Sequence, residues 1–255
     1  MEKNVTCKDV TTLSDDELKE LETEYDLYKV ECRCALRLAL ALIENLREQM
    51  EYNSVGKIDI FCRIEDRVKT FESTIEKCFR KKYYPNMDNI RGKIRDIAGI
   101  RIITLSLANI KKIADRLALI PGLNIVDWKD YVCDPKANGY SSFHLCCQVE
   151  IYNPYCGSKL VPVEIQIRTI SMDAWAKAHS FFNYKGDEIP PELAKEFREV
   201  AESARQMDGD IERILNRKEN ASANESAVAS KIRDIKSVSP DFKELKPKAT
   251  ATFLA

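Results

Sequence analysis

Residues 144–169 read HLCCQVEIYNPYCGSKLVPVEIQIRT. Two runs rich in β-branched and apolar residues, 144–152 and 160–169, flank the segment NPYCGSK, in which Asn153, Pro154 and Gly157 are turn formers. The stretch therefore predicts two strands joined by a short connection, and a short connection pairs them antiparallel. Along the second strand Val163, Ile165 and Ile167 face one way and Glu164, Gln166 and Arg168 the other. One face can close a core. The other carries three polar groups that need partners, water or a ligand.

Working upstream, IAGIRIITL at 97–105 is β-branched and reads as a buried strand. Residues 107–119 fit a helix ended by Pro121 and Gly122, and 124–131 form a further strand. Ser14 followed by Glu17 makes a capping box that opens a long helix reaching about Met50. A second helix is expected from about Ile58 to Lys82, broken by Pro85 and Asn86, with a short helical piece before Asp96. Downstream, helices are expected from about Ser171 to Phe182 and from Pro191 to about Arg217, the latter with proline at its start. Strands interleaved with helices give an α/β (α+β) chain with long helices at both ends.

The 255 residues, 44% of them hydrophobic, can bury one substantial core. The expected division is an N-terminal helical extension over 1–57, a core over 58–185, a C-terminal helix over 186–218 and a flexible tail or partner-binding arm over 219–255, where large apolar residues are few. A formal net charge of −1 gives no overall pull toward DNA or a membrane, so an anion site must come from local clustering of the 40 lysines and arginines. No apolar run approaches the roughly 20 residues of a membrane span. Nine cysteines at irregular spacing, with charged residues rather than an apolar leader after Met1, point to reduced thiols in the cytoplasm. Two histidines in the chain argue against a structural zinc site.

Between Asp130 and His144 the chain reads DYVCDPKANGYSSFH. Lys136 can meet phosphate, Gly139 lets backbone approach a ligand, and Tyr140 offers a ring for a base. The same letters also fit a polar hairpin turn. On a helix, Lys69, Ser73, Lys77 and Arg80 fall within an arc of roughly 80°, opposite Val68, Phe71, Ile75 and Phe79, so one side is core and the other a cation ladder suited to a polyphosphate. Arg67, off the ladder, can lay its guanidinium on a base. Asp96 and Glu164 can hold one Mg²⁺ whose other ligands are phosphate and water. Alternatively, salt bridges to Arg101 and Arg168 satisfy the two acids. No glycine-rich Walker loop is present, which disfavours a P-loop kinase.

In order along the chain, these segments resemble the synthetase domain of the RelA/SpoT alarmone synthetases, over about residues 58–185, and the length resembles the small alarmone synthetases. The resemblance implies a mixed sheet of about five strands flanked by helices, nucleotidyltransferase-like. It implies an ATP site at Arg67, Lys69, Ser73 and Lys77, with Arg80 and Arg101 beside them. The metal ligand would be Asp96, in an Asp-x-x-Gly-x-Arg pattern with Gly99 and Arg101. Acceptor-site residues would be Lys136, Asn138, Gly139, Tyr140, Ser142 and His144, with Gln166 and Arg168, and Tyr140 would stack on guanine. Glu164 would contact the metal or activate the acceptor hydroxyl. The implied reaction moves pyrophosphate from ATP to the 3′-hydroxyl of GDP or GTP with Mg²⁺, in the cytoplasm, by a homo-oligomer that family resemblance makes a tetramer.

The chain departs from the family pattern after the strand ending at Thr169. Trp175, Ala176, Tyr184 and Lys185 are in register, but His179 and Ser180 stand where Glu-His is common. Asp134 and Ser141 stand where basic residues are frequent. Two alternatives follow: transfer to the 3′ end of tRNA, or a nucleotide-binding regulator without catalysis. Longer relatives add a hydrolase domain built on several histidines. His144 and His179 cannot supply that chemistry.

Overall fold

The structure is a computed structural model that describes residues 13–53, 60–182 and 189–238. Its elements, in chain order, are α1 (Asp15–Tyr52), β1 (Arg63–Val68), α2 (Phe71–Arg80), α3 (Met87–Lys93), β2 (Ala98–Thr104) and α4 (Leu107–Leu117). They continue with β3 (Asn124–Asp130), β4 (Phe143–Asn153), β5 (Gly157–Thr169), α5 (Ile170–Phe182) and α6 (Pro191–Val238). The chain divides after Gly209 into two units. In the first, one five-stranded sheet runs in the order β1-β2-β5-β4-β3. Its central pair, β2 and β5, is parallel and the other pairs are antiparallel, so the sheet is mixed, as expected.

The register sorts the side chains. Ala98 pairs with Val163 and Val163 with Cys147; Ile100 pairs with Ile165 and Ile165 with Leu145. These six form an apolar face that α1 and α4 cover, through buried side chains that include Tyr25, Leu36 and Ile43 of α1 and Ile113 and Leu117 of α4. The opposite face carries two polar rows. Arg67, Gly99, Glu164, Cys146 and Asp127 make one; Glu65, Arg101, Gln166, His144 and Lys129 make the next. Among the described residues no helical layer of comparable extent closes that side, and the cleft lies there.

Two expectations are corrected. The helix expected over 58–82 is instead β1 followed by α2. Thr70 caps α2, accepting from the Ser73 N–H at 3.3 Å, and Tyr25 in α1 donates to the Lys69 carbonyl at 2.8 Å, so the chain is turned just where a helix would have continued. Before that turn, pairing with β2 outweighs the helical periodicity, and RIEDRV becomes a charged edge strand of the kind that resists further pairing. Phe79, expected in the core, is 41% exposed. Secondly, α6 continues past Arg217 to Val238: residues 210–238 hold no proline or glycine and many Ala, Glu, Lys and Arg, all good helix formers. Residues 58 and 185, taken as core boundaries, and Tyr184 with Lys185, lie outside the described residues, as does 239–255.

Within the first unit α6 is fastened to the α5 junction. Buried Asp208 accepts from Thr169 Oγ1 at 2.9 Å and from Ser171 Oγ, and Trp175 Nε1 donates to the Phe197 carbonyl at 2.8 Å. Gly139, at φ 95°, lies against this helix: a Cβ there would stand 2.6 Å from the Ala201 Cβ. Its glycine is required by packing on α6 and by a left-handed backbone. Gly139→Ala is expected to destabilise the protein by roughly 1–3 kcal/mol or more, read as a lower urea midpoint with unchanged slope.

Candidate active site

The polar face of the sheet floors a cleft of about 1040 Å³. Eleven lysines and arginines line it against three carboxylates, Asp96, Asp127 and Glu164, although the whole chain is nearly neutral. Such a concentration of cations in one cleft focuses field on an anion.

Asp96 sits in the loop between α3 and β2. Its Oδ2 takes Lys69 Nζ at 2.7 Å and Lys77 Nζ at 2.6 Å, so the two lysines come from either side of the α2 N-cap to one carboxylate. Burial alone would push this carboxyl up, but the two ammonium groups outweigh it and hold the pKa at about 2. Its other oxygen, Oδ1, is buried without a hydrogen-bond partner. Glu164, on β5, accepts from Gln166 Nε2 at 2.6 Å and meets His144 Nδ1 at 3.1 Å. Burial raises its pKa, yet the His144 imidazole and the Gln166 amide bring it below the ordinary value, while the Asp96 charge pushes the other way. The two acids thus line one cleft, close enough for their charges to interact, and both are ionised at neutral pH. Neither relies on a salt bridge to Arg101 or Arg168.

On the side of the loop before β4, Arg168 Nη2 donates to Tyr140 Oη at 2.6 Å and to Gln166 Oε1 at 2.8 Å, and Tyr140 Oη lies 2.8 Å from His144 Nε2. An ionised Glu164 only accepts, so His144 Nδ1 carries the proton donated to it, and in that tautomer Nε2 accepts from Tyr140 Oη. Five side chains, Tyr140, His144, Glu164, Gln166 and Arg168, close into one circuit. Lys136 Nζ lies 4.5 Å from the Tyr131 ring centroid and 4.8 Å from that of Tyr140, at cation–π range.

Of the residues singled out in the sequence, Arg67, Lys77, Arg80, Asp96, Arg101, Lys136, Tyr140, His144, Glu164, Gln166 and Arg168 line the cleft together. Lys69 joins them through Asp96. Ser73, Asn138, Gly139 and Ser142 stand outside the lining. Ser73 is exposed in the first turn of α2, and Asn138 Oδ1 accepts from the Tyr140 N–H at 3.2 Å, shaping the loop. Ser142 is buried, donating to the Ile167 carbonyl at 3.3 Å. His179 stacks on Trp175 with centroids 4.7 Å apart, and Ser141 Oγ donates to the Tyr131 carbonyl at 2.9 Å. The serine at 141 thus has an internal role. Sequence reasoning missed Tyr131, Lys129, Arg95, Lys93 and Lys177; the alternation of Lys129 on β3 and the adjacency of Tyr131 to the loop were the available signals.

Residues 66–189 match the family described as the region found in RelA / SpoT proteins. A GTP pyrophosphokinase of Bacillus subtilis, YwaC, is 37% identical over 159 residues, covering 62% of this chain and 75% of that protein. The chain belongs to the RelA/SpoT family. A second B. subtilis GTP pyrophosphokinase, YjbM, is 29% identical over 203 residues, covering 79% of this chain and 93% of its own. The crystal structure of small alarmone synthetase 1 from B. subtilis bound to its product pppGpp superposes with a TM-score of 0.70 at 29% identity, over 76% of this chain and 97% of that one. The five-stranded mixed sheet is thus the RelA/SpoT synthetase sheet.

The residues present fit a Mg²⁺ ion. Among the described residues no group of three or more His, Cys, Asp or Glu side chains is gathered into a metal cage, but Mg²⁺ needs only one or two carboxylates when phosphates and water complete its octahedron. The partnerless Asp96 Oδ1 is an oxygen available for that purpose.

Because the Asp96 pKa is depressed from 3.8 to about 2, its ionised form contributes stability that is fully present above about 4 and is lost as pH falls through about 2. Asp96→Asn should therefore be less stable than wild type at neutral pH, with the gap in urea-unfolding free energy narrowing from about pH 4 to about pH 2.

Proposed function

We propose that this protein transfers the β,γ-pyrophosphate of ATP to the 3′-hydroxyl of GDP or GTP, making guanosine tetra- or pentaphosphate. The observation that carries the reading is the cleft itself: a partnerless acid oxygen at Asp96 and an ionised Glu164, ringed by cations, face an aromatic acceptor loop. The names of the relatives, GTP pyrophosphokinases and a synthetase bound to pppGpp, support the same chemistry. Among the described residues no helix is long and apolar enough to cross a membrane. The cytoplasm, which supplies these nucleotides, is the compartment that fits, and a homotetramer is the assembly the resemblance implies.

Lys69, Lys77, Arg80, Arg67 and Arg101 would hold the ATP phosphates and adenine, restraining the triphosphate so that its β-phosphorus faces the acceptor. Lys136 and Arg168 would meet the guanosine nucleotide, with Tyr140 stacked on the base. The 3′-oxygen forms its bond to the β-phosphorus, the bond from that phosphorus to the α,β-bridging oxygen breaks, and AMP leaves with the electron pair. Glu164, ionised and hydrogen-bonded through both oxygens, would accept the hydroxyl proton. Asp96 and Glu164 would hold Mg²⁺, which supplies charge neutralisation for the phosphates and the leaving AMP.

Incubating the full-length protein with Mg²⁺, γ-labelled ATP and GDP, GTP or tRNA tests this directly. Label on the guanosine 3′ position is expected; its absence from both GDP and GTP, or its appearance on tRNA alone, would overturn the reading. Glu164→Gln should lower kcat about 10²–10⁴-fold while leaving the unfolding midpoint near wild type. Tyr140→Ala should act mainly on acceptor KM, raising it by about 5- to 100-fold, the range set by the stacking of one base on an aromatic ring.

A further inference from the structure

Asp173, in the first turn of α5, meets the five-membered circuit at Arg168 alone, and four cations converge on it. Its side chain is 4% exposed. Oδ2 takes Arg63 Nη2 at 2.7 Å and Lys177 Nζ at 3.1 Å. Oδ1 lies 3.6 Å from Nη1 of both Arg101 and Arg168, and it is buried with no hydrogen-bond partner. Arg101 Nε is likewise buried without one. Glu65 backs the group from β1, meeting Arg63 Nε at 2.7 Å and both Arg101 Nη1 and Lys177 Nζ at 3.5 Å.

A buried ion pair that serves only the fold ends with its donors and acceptors hydrogen-bonded, because an unsatisfied buried polar atom is costly. Here Oδ2 is satisfied by Arg63 and Lys177, whereas Oδ1, on the side of Arg101 and Arg168, is not, and both of those arginines line the cleft. Those two arginines belong to different halves of the site. Arg101 extends from β2 next to Arg67, whereas Arg168 donates to Tyr140 and Gln166. Their like charges repel, and a carboxylate equidistant from both is what lets them share one region of the cleft while N–H groups remain for phosphate.

We propose that Asp173 is a positioning residue that couples the two nucleotide half-sites by holding one arginine of each through charge. This rests on the pyrophosphate-transfer reading for the identity of the nucleotides, but its test does not require turnover. Calorimetric titration of the full-length protein with a non-hydrolysable methylene analogue of ATP and, separately, with GDP gives Kd and stoichiometry for wild type and Asp173→Asn. Both Kd values are expected to rise about tenfold in the variant, the size of effect a misplaced pair of phosphate-binding groups produces. A purely structural role would lower the binding stoichiometry and leave Kd unchanged, and that result would overturn the inference. Wild type that binds both ligands but transfers no label would sink the pyrophosphate reading alone, with the Kd comparison still deciding this one. If Asp173→Asn does not fold, Glu65→Gln carries the same test from a more exposed carboxylate. Its Kd values should rise in the same direction, by about threefold, and unchanged values would equally refute the coupling.

Discussion

The register between β5 and its two neighbours is the constraint from which the site follows. A strand alternates its side chains with period two, so a slip of one residue would exchange Glu164, Gln166 and Arg168 for Val163, Ile165 and Ile167 and bury three polar groups under α1. Because Gly99 pairs with Glu164 and Arg101 with Gln166 on one side, and Cys146 and His144 do so on the other, the polar rows line up across all five strands. The apolar rows line up on the opposite face by the same necessity. Core formation on one face of the sheet therefore sets the polar floor of the cleft on the other.

That separation leaves an electrostatic problem. Eleven cations around one cleft repel one another, and the fold answers with few acids, each shared among several cations: Asp96 by Lys69 and Lys77, Asp173 by Arg63, Lys177, Arg101 and Arg168. Shared carboxylates leave the cations incompletely neutralised. A polyphosphate entering the cleft completes what the protein leaves undone, so the positive field that disfavours the empty cleft is the same field that would favour binding.

Much of this was legible in the sequence, for physical reasons that can be named. β5, β4 and β2 announce themselves because a half-buried strand must alternate or run apolar, and Glu164, Gln166 and Arg168 were placed on one face by that rule alone. The cation ladder was legible only in part. Ser73, Lys77 and Arg80 lie on α2, but Lys69 lies in the turn before it and Arg67, off the ladder, on β1, because strand pairing with β2 and the Tyr25 hydrogen bond are tertiary contacts that periodicity cannot register. Lys69 nevertheless reaches Asp96 across the N-cap of α2. Gly139 has a further constraint that no local pattern reveals: its neighbour is Ala201, sixty-two residues away. Asp173 was missed because a single aspartate at the start of a helix looks like an ordinary dipole partner until four cations from β1, β2, β5 and α5 are brought around it.

The circuit of Tyr140, His144, Glu164, Gln166 and Arg168 ties the loop before β4 to the Glu164 carboxylate. Hydrogen bonds leave Arg168 in two directions, one through Tyr140 and His144 and the other through Gln166, and both end on Glu164. Both Glu164 oxygens are taken up as acceptors, from His144 and from Gln166, so the circuit favours the ionised carboxylate. The same bonds that orient the Tyr140 ring therefore hold the Glu164 carboxylate ionised, the state that the proposed transfer requires of a base.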